Sequence, residues 1–181
     1  MGLEALIKLD KACTERIKAP SQGHALWKLG EFFAHSGDSW FWMAGLGIIW
    51  LVASHAWHRN AAILAVSIVF QAVFVLSIKF SIKRSRPPGE WGAIYRNTDP
   101  HSFPSGHATR AFMLALMALA LGPTWFGVIV LVWAPLVSLA RVYVGVHYLS
   151  DVLAGALLGL LIGWAMLACS PWIVSFFPWI F

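Results

Sequence analysis

A chain of 181 residues that is 59% hydrophobic and only 12% charged carries too little polar surface for a soluble domain of its length. It belongs in a bilayer. The formal charge of +5 is not laid out as a basic stripe interleaved with stacking aromatics, which excludes nucleic acid as the expected partner and points to an anionic substrate, an anionic lipid surface, or both.

Residues 3–18 put Leu3, Leu6, Ile7, Cys13 and Ile17 near one helical face and most charges on the other, the pattern of an interfacial amphipathic helix. After Pro20-Ser21-Gln22-Gly23 a second such segment sets Leu26, Leu29, Phe32 and Phe33 at helical spacing, with Trp27 suited to the headgroup level. Neither is long and apolar enough to span. Lys8, Asp10, Lys11, Glu15 and Arg16 interrupt the apolar core that a cleavable signal peptide needs, so the first true apolar run is expected to act as an uncleaved signal anchor. Leu6 stands where a myristoylation motif requires Ser or Thr.

Residues 39–57 and 61–80 each approach the ~20 residues that cross the hydrocarbon core. A shorter run, 108–121, starts from the turn at Pro104-Ser105-Gly106-His107; Gly122-Pro123 breaks it, and 125–142 and 149–168 supply the fourth and fifth spans. Gly155, Gly159 and Gly163, spaced by four, let the last helix approach a neighbour closely. The tail, 171–181, is rich in Trp and Phe and reads as an interfacial cap. The expectation is an all-α polytopic membrane bundle of about five transmembrane helices plus N-terminal interfacial helices. It forms one domain over 1–181, with 1–38 interfacial and 39–170 the transmembrane part. Cys13 and Cys169 lack a CxxC or His-spaced partner, so neither a disulfide framework nor a zinc site is expected.

Two spans after the interfacial helices bring residues 79–107 out on one face, and two further crossings return the chain to that face at 141–151. Three patterns then meet there: Lys79-x6-Arg86-Pro87, Pro104-Ser105-Gly106-His107 and Arg141-x5-His147-x3-Asp151. A phosphate ester carries about two negative charges near neutral pH, which repel a nucleophile until cations neutralise them. Lys79, Arg86 and Arg141 supply the cations, the guanidinium groups as planar forks. The second pattern opens a helix, whose unpaired N–H groups favour an anion; Gly106 admits close backbone approach, and Ser105 either adds a hydroxyl or caps the helix. His147 and Asp151, four apart on one helical face, allow the carboxylate to accept the Nδ1 proton and leave Nε2 to attack phosphorus. A lone cation at a span end is ordinarily a snorkelling residue, so the weight rests on the joint order and spacing.

These patterns resemble the signature KxxxxxxRP, PSGH, SRxxxxxHxxxD of the type-2 phosphatidic acid phosphatase superfamily, integral-membrane lipid phosphatases. The likeness runs from residue 79 to 151 and, by hydrophobic layout, over most of the chain after residue 38. Ala140 departs from the signature's Ser; one neutral hydrogen bond is worth about 1 kcal/mol, so this tunes activity rather than removing it. The resemblance implies His107 as general acid to the leaving oxygen and a covalent phosphohistidine on His147, later hydrolysed by water. By resemblance the substrate is a polyprenyl diphosphate, phosphatidylglycerol phosphate, phosphatidic acid or lipid A phosphate. The three cations fill the place magnesium would take, so no metal and no cofactor is expected. Arg110, three residues after His107, sits where a charge costs roughly 2.5–3.5 kcal/mol unless partnered. It is expected either to contact a second phosphate or headgroup, or to pair with Asp99, Asp151 or Glu90. His101 is the other candidate headgroup contact, while His24, His35, His55 and His58 fall near predicted interfaces.

A small transporter or channel is the alternative, but it needs ionisable residues in mid-span and here they gather at span ends. A haem or metal protein would show a His pair at i, i+4 within one span, and vanadium-dependent haloperoxidases, which share the motifs, are soluble. The sidedness arguments disagree. Lys8, Lys11, Arg16, Lys18, Lys28, Lys83, Arg84 and Arg96 share the site's face against Arg59 opposite, which favours the cytoplasm. A phosphate site biases that count, and relatives acting on envelope lipids mostly face outward, so a bacterial inner-membrane protein with a periplasmic site is expected.

Overall fold

The computed structural model describes residues 2–88 and 99–181, which leaves Glu90 and Arg96 of the expectations above outside the described residues. Among the described residues seven helices run in chain order: α1 (Leu3–Ile17), α2 (Ala25–Ser36), α3 (Ser39–Val52), α4 (His55–Ile82), α5 (Gly106–Leu121), α6 (Thr124–Tyr143) and α7 (Leu149–Phe176). Among the described residues the only β pairing is one isolated bridge, Ser85 to His101. Helices α4, α6 and α7 are long and apolar enough to cross a membrane; α3 and α5 are shorter apolar helices. Together they form the five-helix membrane bundle that the hydrophobic runs predicted, with α1 and α2 at the rim.

The first two spans divide at Ala53-Ser54, where the backbone is extended, and not at residues 58–60. His58 and Asn60, which suggested a loop, instead serve carbonyls at helix ends. His58 reaches the Trp50 and Ile180 oxygens at 2.6 and 3.1 Å, and Asn60 donates to Leu121 at 2.7 Å. Their polar groups are thereby paired inside a helix that starts six residues earlier than the hydrophobic run. The last helix likewise continues through Pro171 into the expected cap, because the Ser170 hydroxyl donates to the Leu167 carbonyl (2.9 Å) that a proline at 171 leaves unpaired.

Helix α5 is the axis of the bundle. Ala108, Ala111, Met113, Leu114, Ala115 and Met117 are all buried, and α6 and α7 pack on either side. The α7 glycines are what let it come so near: a Cβ at Gly155 would stand 2.7 Å from the Ser105 carbonyl oxygen, and one at Gly163 3.2 Å from that of Met113. On the opposite face of α7, Leu153, Leu157, Leu161 and Trp164 are exposed at helical spacing and present the lipid-facing side.

Helix α1 meets the bundle through Asp10, Cys13, Thr14 and Ile17, leaving most of its charges exposed. Leu6, Ile7 and Leu9 are exposed while Thr14 is buried against the start of α7. Thr14 Oγ1 accepts from the Leu149 amide (3.0 Å), and Asp10 accepts from the Ser150 amide (2.9 Å) and hydroxyl (2.6 Å). These are orphan donors of the first turn of α7, so α1 caps another helix from outside it. Asp10→Ala is expected to destabilise by about 1–2 kcal/mol, on the scale of a lost cap, and to speed amide exchange at Leu149 and Ser150. Hydrogen exchange monitored by mass spectrometry reads this directly.

Candidate active site

All three sequence patterns end at one face of the bundle. Lys79 closes α4, Arg86 follows it, Gly106 and His107 open α5, Arg141 lies in the last turn of α6, and Asp151 in the first turn of α7. Lys79 Nζ donates to Asp99 Oδ2 at 2.5 Å and to the His101 carbonyl at 2.9 Å. Arg86 donates to the same Asp99 oxygen (2.9 Å) and to the Val146 carbonyl (2.9 Å), and its Nη1 stands 3.2 Å from His147 Nε2. Arg141 is buried, with Nη1 3.4 Å from the Ala34 carbonyl of α2.

The turn between α6 and α7 sets the position of His147. Gly145 has φ +80°, a left-handed conformation open to glycine, and the Arg141 carbonyl accepts from the amides of Val146 and His147. The His147 ring is buried, and burial followed by the charges of Arg86, Arg141 and Lys79 holds it well below the ordinary histidine range. Its imidazole is therefore neutral at neutral pH, the form a nucleophile needs. Nδ1 lies 3.5 Å from Asp151 Oδ2, long for a hydrogen bond. Asp151 also caps its own helix by accepting the Tyr148 amide (2.9 Å), and its other oxygen takes Arg84 Nη1 at 2.6 Å. The carboxylate thus caps its own helix while standing beside the imidazole, whose buried Nδ1 has no hydrogen-bond partner among the described residues.

Ser105 sits at the N-cap of α5, accepts from the Ala108 amide at 3.5 Å, and donates its own amide to the Asp151 carbonyl at 3.0 Å, which ties the second pattern to the third. His107 Nε2 is 2.7 Å from Asp38 Oδ1, and His35 Nδ1 is 3.2 Å from Asp38 Oδ2. Arg110 directs Nε and Nη2 to the Gly37 carbonyl and Nη1 to Ser39 Oγ (2.7 Å), so it secures the turn between α2 and α3. The His101 ring packs edge-on against Phe80 and lines a small cavity beside Arg86 and Pro87. His24 accepts from the Trp27 amide as the cap of α2, and His55 starts α4.

A cavity of ≈ 470 Å³ opens beside these groups, lined by Lys79, Asp99, His107 and Arg110 together with Trp40, Ala72, Val75 and Leu76. Buried Gln71 also lines it. Asp10, Asp38, Gln71, Arg84 and Asp99 were not singled out from the sequence as members of the site. Their only signal there was their rarity as polar groups in a greasy chain.

Residues 60–175 match the family model described as the PAP2 superfamily. Over 59 residues the chain is 48% identical to an undecaprenyl-diphosphatase of Sulfolobus acidocaldarius, a match covering 33% of this chain and 29% of that protein's length. Over 144 residues, 72% of each protein, it is 35% identical to the decaprenylphosphoryl-5-phosphoribose phosphatase of Mycobacterium tuberculosis. The crystal structure of Aquifex aeolicus LpxE superposes with a TM-score of 0.71 at 25% identity, over 88% of this chain and 95% of that one. With more than half of its residues inside the family model and a relative alike over 72% of both lengths, the chain belongs to the PAP2 superfamily.

Proposed function

We propose that this integral membrane protein hydrolyses a lipid phosphate or diphosphate without a metal, through a phosphohistidine on His147, as a single membrane-embedded domain. The observation that carries the proposal is the seating of Arg86 at 3.2 Å from His147 Nε2 while Lys79 and Arg86 converge on one oxygen of Asp99. A tetrahedral anion placed on those cations puts phosphorus within reach of the imidazole. The Nε2 lone pair forms the N–P bond as the bond from phosphorus to the lipid oxygen breaks, and His107 delivers a proton to that oxygen. Water then attacks phosphorus, passes its proton to His107, and the N–P bond breaks to release inorganic phosphate. Arg141, Ser105 and Gly106 complete the anion's surroundings.

The cavity suits a substrate with an anionic head and an apolar chain, since its lining combines Lys79, His107 and Arg110 with Trp40, Ala72, Val75 and Leu76. The relatives are named for undecaprenyl diphosphate, decaprenylphosphoryl-5-phosphoribose, lipid A and phosphatidylglycerol phosphate, which supports a lipid phosphate or diphosphate as the substrate class, with a polyprenyl diphosphate, phosphatidylglycerol phosphate, phosphatidic acid and lipid A phosphate as its candidates. Arg110, which lines this cavity, and His101 are assigned to a second phosphate or headgroup. The protein is assigned to a bacterial inner membrane with the site facing outward.

Phosphate release from a panel of these lipids by the purified protein tests the proposal. Turnover should persist in EDTA, because protein cations occupy magnesium's role, and vanadate should inhibit as a mimic of the five-coordinate transition state. Activity lost in chelator and restored by magnesium would exclude the metal-free site.

A further inference from the structure

Asp38 stands at the N-cap of α3, where an Asp ordinarily accepts a hydrogen bond from the first turn, yet its side chain makes no capping bond. The carboxylate instead reaches 69 residues along the chain, to His107 at 2.7 Å, with its second oxygen 3.2 Å from His35. Burial alone would raise this carboxyl's pKa, but the hydrogen bonds and charges of His107 and His35 more than reverse that, and the group is held well below the usual carboxylate range. It is ionised wherever the protein would work.

The surroundings say why a carboxylate is wanted. Lys79 and Arg110 line the same cavity as His107, and Arg141 acts on the same imidazole through its charge. An imidazole that must carry a proton among three cations is opposed by each of them unless an anion stands next to it. Asp151 stands beside His147, and Arg84 and Arg86 engage Asp151 and Asp99. Among the described residues the hydrogen-bonded carboxylate at His107 is that of Asp38.

We propose that Asp38 is the positioning residue of the general acid: its carboxylate aims the His107 ring through Nε2 and compensates the charge of the imidazolium. Each histidine of the site then has its own carboxylate, contributed by a different helix end. The turn joining α2 to α3 becomes part of the catalytic apparatus, held in place by the bonds from Arg110 to Gly37 and Ser39.

The inference rests on the phosphatase proposal and is tested by leaving-group dependence. Phosphatidic acid must expel an alkoxide and needs the acid, whereas p-nitrophenyl phosphate expels a stable phenolate and needs it little. Asp38→Asn is expected to lower kcat on phosphatidic acid by about 10²-fold and on p-nitrophenyl phosphate by less than ~10-fold, within the range of general-acid effects. In a His107→Ala background the same change should add little further loss on phosphatidic acid. Equal losses on both substrates, or a full additional loss in the His107→Ala background, would show Asp38 to be a structural residue only. If Asp38→Asn does not fold, Asp38→Glu, which keeps the charge but displaces it by one methylene, is read for the same difference between substrates. Absence of turnover by the wild-type protein on these two substrates and on every lipid phosphate of the panel would instead overturn the phosphatase proposal itself.

Discussion

His147→Ala is expected to lower turnover by more than ~10³-fold while leaving a folded bundle, because the group that would form the bond to phosphorus is gone and no neighbour can replace it. The ring is buried, but Arg86 keeps its bonds to Val146 and Asp99, so truncation does not strand a charge. Acid-labile phosphate on the protein after rapid quenching should be present in wild type and absent in the variant; activity near wild type would end the phosphohistidine mechanism. The depressed histidine also has a thermodynamic signature. Its folded pKa lies below the unfolded value of about 6.5, so the unfolded chain binds a proton that the folded site refuses as pH falls through that value. Stability contributed above about pH 6.5 is lost on acidification, and the slope of Tm against pH between ~7 and ~5 should be shallower in His147→Ala than in wild type.

Gly159→Leu is expected to abolish the folded bundle. A Cβ there would overlap the Thr109 carbonyl oxygen and stand 3.0 Å from its carbon and 3.1 Å from the Met113 amide nitrogen, all backbone atoms of α5 that cannot step aside. Overpacking a core with flexible neighbours costs about 1–3 kcal/mol, and forcing two backbones apart exceeds that, a large share of a stability near 5–15 kcal/mol. Severity should fall from Gly159 to Gly155 to Gly163, following their distances to α5. Gly45 is the control: nothing lies within 4 Å of its Cβ position, so Gly45→Ala should stabilise by about 0.5–1 kcal/mol through helix propensity. Thermal unfolding in detergent orders the four variants, and equal behaviour at Gly159 and Gly45 would refute the close-contact account.

The spans and the three patterns were legible because both are encoded locally: hydrophobic runs show themselves in sequence, and alternate crossings place 79–107 and 141–151 on one side. Span edges were less so. His58 and Asn60 look like loop residues until the carbonyls they serve come into view. The acidic half of the site was hidden for the same reason. Asp38 meets His107 across 69 residues, Asp10 meets Arg84 across 74, and Arg84 meets Asp151 across 67. No local period announces such a partner. The orientation of α1 was equally hidden, since an amphipathic pattern gives two faces without saying which one the bundle takes.

That orientation makes the start of α7 a property of the lipid surface as well as of the polypeptide. Leu6, Ile7 and Leu9 look outward while Asp10 and Thr14 hold the first amides of the helix that carries Asp151. Displacing α1, by a harsh short-chain detergent or a bulky fusion at its N-terminal end, is expected to release those amides before the transmembrane packing changes. Solubilised preparations can therefore melt at an ordinary temperature and still be inactive, and a sample's worth is better judged by protection of the Leu149 and Ser150 amides than by its Tm.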